Sequence, residues 1–234
     1  MIYVLADIHG NERRFRSILE QIRLQPEDTL YILGDVVDRY PDGIRLLRKI
    51  MAMPNAKMIL GNHEYMMLRA LGHPYDDFYD DGRALGHWHR NGGDLTHNYW
   101  KRIRKSLRRE ILDFLLALPV SLDVTVNGKR YKLAHAAPPE AYDGDPKYRN
   151  PVYFAVWKRF GDEVHFSGDY TLIFGHTPTE YLHEKIPMEV WYGTGKIGID
   201  CGCCYREEGE EKGKGRLACL RLDDGKVFYS EEDR

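Results

Sequence analysis

The sequence contains no long hydrophobic run, and none approaches the ~20 apolar residues that a helix needs to cross a bilayer. The first apolar run begins at Ile2, which leaves no room for a signal peptide. Cysteine is scarce, and the four that occur form no obvious framework of pairs, as is typical of a reducing compartment. From these absences we expect a cytoplasmic protein without a membrane span.

The chain also has little net charge. Its 34 Lys and Arg residues and 36 Asp and Glu residues leave a formal net charge of −2, which gives no overall attraction to nucleic acid or anionic membranes. At 234 residues with 43% hydrophobic content, the chain can bury a large core. We therefore expect one domain over residues 1–234.

Two local features stand out from this even composition. Residues 101–109 hold six cations, and apolar residues recur every three to four positions from Trp100 to Ile111. This predicts an amphipathic helix whose basic face is solvated, with steering of an anionic substrate or nucleic acid as the functional alternative. Cys201, Cys203 and Cys204 lack the Cys-x-x-Cys spacing of zinc sites, so we interpret them as buried thiols.

The hydrophobic pattern alternates between strands and helices. Apolar, β-branched runs predict strands at residues 2–5, 30–33, 58–60 and 172–174, while 3.6-residue spacing predicts helices at 11–24 and 41–53. A short helix is also expected at 62–71, and another at 151–160 with Pro151 in its first turn. A hairpin is expected at 120–126 and 130–134, because Asn127-Gly128 between them is a strong turn signal. Later strands are predicted at 197–201, 216–222 and 227–230. Residues 72–118, rich in Asp, His, Arg and aromatics, predict a helical cap inserted beside the sheet.

Five short blocks of acidic, amide and histidine residues occur in order along the chain, each where a predicted strand ends, and four of them follow apolar, β-branched runs. They are Asp7-Ile8-His9-Gly10, Gly34-Asp35-Val36-Val37-Asp38-Arg39, Gly61-Asn62-His63-Glu64, His135-Ala136 and Gly175-His176-Thr177. Asp, His and Asn bind borderline divalent metals, and ligands collect at the carboxyl ends of strands in α/β sheets. The blocks therefore predict a dinuclear metal site.

This ordered set resembles the metallophosphoesterases, and within them the PPP-type serine/threonine protein phosphatases of bacterial and phage kind. The resemblance spans residues 1 to about 200. It implies a four-layer α/β sandwich, with two packed sheets between outer helices. It also implies two divalent metal ions, with Mn²⁺ favoured and Fe or Zn as alternatives. The first metal is then held by Asp7, His9 and Asp35, and the second by Asp35, Asn62, His135 and His176.

The same resemblance assigns catalytic and substrate-binding roles. His63 matches the general acid, and Asp38 matches the carboxylate that orients it. Arg39 and Arg159 match phosphate-binding arginines, the latter within Trp157-Lys158-Arg159. Trp88 and Asn91-Gly92-Gly93 are similar to an element of the bacterial branch. We accordingly expect substrate contacts from Arg39, Asn62, Asn91 and Arg159.

The implied reaction is hydrolysis of phosphate monoesters, foremost phosphoserine and phosphothreonine in proteins, by in-line attack of a hydroxide that bridges the metals. Leu60 stands where many members carry an arginine before Gly-Asn-His-Glu. That leaves a dinucleoside polyphosphate hydrolase, cleaving for example diadenosine tetraphosphate, as an alternative. A phosphodiesterase or nuclease is supported only by the basic run. A metal-binding module without catalysis is disfavoured, because the residues of the general acid are intact. The sequence does not specify the oligomeric state.

Overall fold

The structure, a computed structural model, describes residues 1–73, 82–183, 188–205 and 215–231. Its ten strands in these ranges are β1 (Ile2–Leu5), β2 (Thr29–Ile32), β3 (Ala56–Met58), β4 (Ser121–Val126), β5 (Lys129–Ala134), β6 (Thr171–Phe174), β7 (Trp191–Gly193), β8 (Lys196–Gly198), β9 (Ala218–Arg221) and β10 (Val227–Tyr229). The α-helices are α1 (Glu12–Ile22), α2 (Gly43–Met51), α3 (Asn62–Ala70), α4 (Ala84–Trp88), α5 (Asp94–Trp100), α6 (Lys105–Leu116) and α7 (Pro151–Trp157).

The strands form two five-stranded mixed sheets. The first has the order β10-β9-β1-β2-β3, and the second has the order β4-β5-β6-β8-β7. The three strands β1, β2 and β3 are parallel, as are β5, β6 and β8. The remaining strands, β4, β7, β9 and β10, are antiparallel to their neighbours. Parallel strands bring their carboxyl ends to one edge, so each sheet presents its polar loops on a common side.

The two sheets pack face to face, and helices cover their outer faces. Successive side chains of a strand point to opposite faces, which β1 shows directly. Val4 lies in the core between the sheets with Leu133 and Ile173, whereas Tyr3 and Leu5 lie in the core under the helices. Both faces of β1 are therefore buried, which explains its continuous apolar run. The predicted four-layer sandwich is confirmed.

Individual residues stabilise the helix starts and the turn that the sequence predicts. The side chain of Asn11 caps α1 by accepting a hydrogen bond from the backbone N–H of Arg14, and Asn150 caps α7 with Pro151 in the first turn. The β4–β5 hairpin turns at Asn127 and Gly128, whose φ angles of 50° and 77° suit these residue types. The predicted hairpin is confirmed.

Several predicted boundaries are wrong. Strand β3 occupies residues 56–58 rather than 58–60, and α7 ends at Trp157 because Lys158 has an extended backbone (ψ 128°). Strand β8 ends at Gly198, so residues 199–201 lie beyond it. The basic run is not one helix, because α5 ends at Trp100 and α6 begins at Lys105. Strand β7 was not predicted.

The inserted segment is helical, as predicted, over its described residues 82–118. Helices α4 and α5 flank a π-helical turn at His89–Gly93, where Gly92 has a φ of 92°. The side chain of Arg108 donates to the carbonyls of Lys101 and Ile103, which fastens α6 to the end of α5. Part of the predicted cap, residues 74–81, lies outside the described residues. Within the described ranges, no helix combines the length and hydrophobicity needed to cross a bilayer.

Candidate metal centre

The loops at the carboxyl edge of the two sheets bring the predicted metal ligands together. Asp7 and His9 follow β1, and Asp35 follows β2. Asn62 begins α3, while His135 and His176 come directly after β5 and shortly after β6. All six side chains are at least 95% buried. We call this set the candidate metal centre: Asp7, His9, Asp35, Asn62, His135 and His176.

Backbone strain is concentrated in this region. Nine non-glycine residues in the described ranges have positive φ, and six of them are predicted site residues: Asp7, His9, Asp35, Asp38, Arg39 and His176. Left-handed conformations are costly for residues with a Cβ, and they persist where surrounding structure enforces them. The concentration of such residues in one group of loops therefore points to a functional site there.

Asp35 lies at the centre of the cluster. Its Oδ2 is 3.7 Å from His9 Nε2, and its Oδ1 is 3.5 Å from His135 Nε2. One ligand atom each from Asp7, Asp35 and His135 lies within 4.8 Å of the others, as do atoms of His9, Asp35 and His63. A carboxylate with imidazole nitrogens near both of its oxygens is placed to bridge two cations, which is the role expected of Asp35.

The second half of the centre contains an unfavourable contact that a cation would relieve. Asn62 Oδ1 is 2.8 Å from His135 Nε2 and 2.9 Å from His176 Nδ1. Burial lowers the pKa of His135, so its ring is neutral with one N–H, and the carbonyl of Leu33, 2.6 Å from Nδ1, requires that hydrogen. Its Nε2 lone pair then faces the amide oxygen. Lone pairs that converge in this way are the donor set of a metal site.

The charges of the cluster also fit divalent cations. Burial lowers the pKa of His9 and of His176 well below the ordinary value, which keeps both imidazoles in the neutral form that binds metal. Burial, together with repulsion from Asp200 and Asp35, raises the pKa of Asp7. Three carboxylates in one buried site repel each other unless positive charge lies among them. The residues present therefore fit a divalent metal centre.

Glu64 holds the ligand-bearing loop in place. Its buried carboxylate accepts hydrogen bonds from the backbone N–H groups of Asp35 (2.8 Å), Val36 (2.8 Å), Val37 (3.3 Å) and Gly61 (3.2 Å). Burial and the charge of Asp35 raise its pKa to about 7. The sequence included Glu64 in a block but gave it no role, and the structure shows that it links the β2 loop to α3.

The predicted acid, His63, pairs with Asp38, which is itself held by the inserted segment. His63 Nδ1 is 2.7 Å from Asp38 Oδ2, and the Trp88 indole donates to the same oxygen at 2.8 Å. Burial favours a lower pKa for His63, but the carboxylates of Asp35 and Asp38 outweigh it and raise the pKa. The hydroxyl of Thr96 accepts from the backbone N–H of Asp38. The inserted segment thus contributes two residues that fix Asp38.

A cavity of about 680 Å³ opens over the candidate metal centre, and its lining residues fall into two chemical groups, which we call the polar half and the aromatic half. One half carries metal ligands together with Arg39, Asn91, Arg159 and Asp200. The other half is apolar and aromatic, formed by Trp157, Phe160, Pro178, Tyr181, Leu182 and Tyr205. Of the predicted residues, Asp38, His63 and His135 do not line this cavity and are buried against residues that do.

Sequence reasoning missed Asp200 and the aromatic half of the cavity. Asp200 had been placed inside a predicted strand at 197–201, but β8 ends at Gly198, so Asp200 lies in the following loop. Burial raises its pKa to about 6, and it faces the same cavity as Asp7 and Asp35. The signal was available, because Asp200 follows an apolar run and precedes Cys-Gly, much as Asp7 and Asp35 follow theirs.

Other proteins share this architecture. A model of the calcineurin-like phosphoesterase family matches residues 1–192. Serine/threonine-protein phosphatase 2 of Salmonella typhimurium is 29% identical over 209 residues, which cover 84% of this chain and 88% of that protein. A symmetrical bis(5'-nucleosyl)-tetraphosphatase of Legionella pneumophila is 38% identical over 101 residues, covering 38% of this chain and 37% of that protein.

The fold has solved counterparts as well. A protein serine/threonine phosphatase from Saccharomyces cerevisiae superposes with a TM-score of 0.57 at 15% identity, covering all of this chain and 80% of the other. At that level of identity the likeness concerns the fold alone.

Proposed function

This chain belongs to the calcineurin-like phosphoesterase family and is a metal-dependent phosphoric ester hydrolase, and we propose that its substrates are phosphoserine and phosphothreonine in proteins. The proposal is supported by the Salmonella phosphatase, which aligns over 84% of this chain. The relative that acts on dinucleoside tetraphosphates aligns over only 38%.

We assign Asp7, His9 and Asp35 to the first cation, and Asp35, Asn62, His135 and His176 to the second. Mn²⁺ suits this mixture of oxygen and imidazole donors, which iron and zinc also accept. When bound, the two cations would neutralise phosphoryl oxygens and acidify the attacking water.

Two arginines of the cavity suit a phosphate dianion. Arg39 and Arg159 both line the cavity, and a guanidinium can donate to two phosphate oxygens at once. Arg39 is half-buried, and its backbone N–H donates to Gly92 in the inserted segment at 3.0 Å. Arg159 is exposed at the rim. The amide of Asn91, which donates to the carbonyl of His87 at 2.9 Å, completes the polar half.

The observation that carries the proposal is the pairing of His63 with Asp38. Asp38 faces Nδ1, so Nδ1 carries a hydrogen, and Nε2 lies 3.4 Å from Arg39 Nη2 and 3.9 Å from Asp35 Oδ2. Nε2 of a protonated His63 therefore faces Arg39 and Asp35, two residues that line the cavity, and can donate a proton in their direction. Serine and threonine alkoxides are poor leaving groups that gain from such an acid, roughly 10²–10⁴-fold. A phosphate or nucleotide leaves an anhydride without that help.

The second candidate is a dinucleoside polyphosphate hydrolase. It is favoured by the aromatic half of the cavity, since the accessible rings of Tyr181 and Tyr205 are of a kind on which a nucleobase can stack. On the sequence alone, Leu60 is a reason to consider this second candidate. Its position in the structure does not support that reasoning, because Leu60 is completely buried in the core and does not line the cavity.

The two candidates are separated by one comparison on protein reconstituted with Mn²⁺. A phosphothreonine peptide and diadenosine tetraphosphate are supplied in parallel, and phosphate and nucleotide release are followed. We expect the higher kcat/KM on the peptide. His63→Asn should lower turnover of the peptide strongly and of p-nitrophenyl phosphate weakly, because nitrophenolate leaves without protonation. Faster cleavage of the dinucleotide by the wild-type protein would contradict the proposal.

A further inference from the structure

The guanidinium of Arg39 is held between a thiol and an imidazole. Its Nη1 donates a hydrogen bond to Cys204 Sγ, and its Nη2 lies 3.4 Å from His63 Nε2. Cys204 is 165 residues away along the chain and reaches the site from the loop after β8. Residue 39 has a φ of 66°, so its backbone leaves the β2 loop in a strained direction. The contacts with Cys204 and His63 define the orientation of the guanidinium.

Cys204 is itself fixed by the turn that carries it. The backbone N–H of Gly202 donates to the side chain of Asp200 at 3.0 Å, and that of Tyr205 donates to the carbonyl of Gly202 at 2.9 Å. The hydroxyl of Tyr205 donates to Glu180 at 2.6 Å, which anchors the far side of the turn. Because the turn is hydrogen-bonded at both ends, its thiol has a defined position.

The neighbouring cysteine ties the same turn to the sheet. The Cys203 thiol donates to the carbonyl of Ile8 at 3.4 Å, and the carbonyl of Cys203 accepts from the buried guanidinium of Arg14 at 2.9 Å. Ile8 lies between the predicted ligands Asp7 and His9. The turn is therefore attached directly to the loop that carries the candidate metal centre.

We propose that Cys204 is a positioning residue, which orients Arg39 toward the phosphate of the substrate while leaving its positive charge available. This rests on the proposed function, in which Arg39 binds the phosphoryl group. A carboxylate in the place of this thiol would also hold Arg39, but it would neutralise the charge that a phosphate needs. A neutral thiol accepts a hydrogen bond without that loss. Burial raises the pKa of Cys204 to about 11, so the thiol is neutral at physiological pH.

Cys204 differs in this respect from the remaining cysteines. Cys201, Cys203 and Cys219 are buried, whereas Cys204 is only half-buried and contacts a side chain of the cavity. Cys219 lies on β9 in the core beneath the helices. Its replacement by alanine removes a buried thiol without touching the cavity, which makes Cys219→Ala the matched control.

The test compares Cys204→Ala, Cys204→Ser and Cys204→Asp with the wild-type protein and Cys219→Ala. Each is loaded with Mn²⁺. KM and kcat are measured on a phosphothreonine peptide, and the affinity for inorganic phosphate is measured from the shift in thermal unfolding. Because the phosphate measurement needs no turnover, it tests Cys204 even if the wild-type protein fails to hydrolyse the peptide. That failure alone would count against the proposed function.

Alanine should raise KM and weaken phosphate affinity about tenfold, the size of one lost hydrogen bond to a charged group, with little change in kcat. Serine keeps an acceptor and should restore both values to within about twofold. Aspartate should hold Arg39 but cancel its charge, so phosphate affinity should fall at least as far as in the alanine variant. Values for Cys204→Ala that match Cys219→Ala would overturn the assignment. If Cys204→Asp binds phosphate as tightly as the wild type, the neutrality of the thiol does not matter for phosphate binding, and that part of the proposal is wrong.

Discussion

His63 Nδ1 lies 2.7 Å from Asp38 Oδ2, and both side chains are almost completely buried. The same carboxylate oxygen accepts a hydrogen bond from Trp88, so Asp38 is anchored independently of the imidazole that it faces. An anchored carboxylate fixes which ring nitrogen of His63 carries the hydrogen. It also leaves Nε2 on the side of Asp35 and Arg39, where a phosphoester would react.

Asp38→Asn should shift the pH dependence of turnover. Asp38 is one of the groups that raise the pKa of His63, so its neutralisation lowers that pKa. The high-pH limb of kcat, which reports loss of the acid's proton, should move to lower pH, and turnover at pH 7 should fall about 10- to 100-fold. Profiles of kcat against pH for both proteins provide the measurement. If the high-pH limb lies at the same pH in both proteins, His63 is not the general acid.

The same pair affects stability with a defined sign. Because the pKa of His63 is raised in the folded protein, its contribution is fully present below the ordinary value of 6.5 and is lost as pH rises through the folded value. The difference in unfolding free energy between the wild type and Asp38→Asn should therefore be larger at pH 6 than at pH 9. Urea unfolding of the metal-free proteins at the two pH values measures it.

Asp35→Asn and His63→Asn should separate metal binding from proton transfer. Asp35 has imidazole nitrogens near both carboxylate oxygens, so its neutralisation should lose metal and activity together. His63→Asn should retain both metal ions while peptide turnover falls. Each variant is loaded with Mn²⁺ and passed through gel filtration. Its metal content is then measured by mass spectrometry and compared with its kinetics. Full metal occupancy in Asp35→Asn would refute the bridging assignment.

Glu64→Ala should destabilise the protein by about 2–4 kcal/mol, because it leaves buried backbone N–H groups of the β2 loop without an acceptor. The loop carries Asp35, so metal affinity should fall as well. Urea unfolding measures the first effect and metal titration the second. Glu110→Ala is the control, since Glu110 is exposed on α6 and its loss should change stability by less than about 0.5 kcal/mol.

Lys196→Met should loosen the wall of the cavity next to Arg159. The buried ammonium of Lys196 donates to the carbonyls of Gly161, Asp162 and Val164. Loss of these bonds should cost about 1–3 kcal/mol and raise KM for the peptide. Lys129→Met, at the exposed start of β5, tests for a general effect of removing a lysine. Equal KM values in the two variants would show that the 161–164 loop does not influence binding.

Tyr181→Ala should weaken substrate binding without affecting folding. Tyr181 is 70% exposed at the aromatic half of the cavity, so little stability depends on it. KM for a phosphopeptide should rise about three- to tenfold through lost apolar contact, while affinity for inorganic phosphate should not change. Tyr192→Ala is the matched control, because Tyr192 is also exposed but lies outside this cavity. A larger loss on diadenosine tetraphosphate than on the peptide would support the nucleotide alternative.

Much of the fold followed from local patterns. The apolar run at 2–5, the cap residue Asn11 and the turn at Asn127-Gly128 each act within a few residues, and each predicted element is confirmed. The errors arose where tertiary contacts override local pattern. The 58–60 run is apolar throughout, yet the backbone N–H of Leu60 bonds to the carbonyl of Pro119 rather than to β2. Apolar residues mark burial, and burial alone does not show where a strand ends.

The sequence by itself determined the kinds of donor groups and their order, because polar residues that follow parallel strands must meet at one edge of a sheet. Through family resemblance it also predicted the pairing of His63 with Asp38, which the structure contains. The tertiary structure alone decided the contact of Cys204 with Arg39, the position of Asp200 and the aromatic half of the cavity. These features join segments far apart in the chain, and no periodicity or short motif encodes a contact between them. They form only when two sheets and an inserted helical segment pack into one core, which fixes distances that the sequence leaves open.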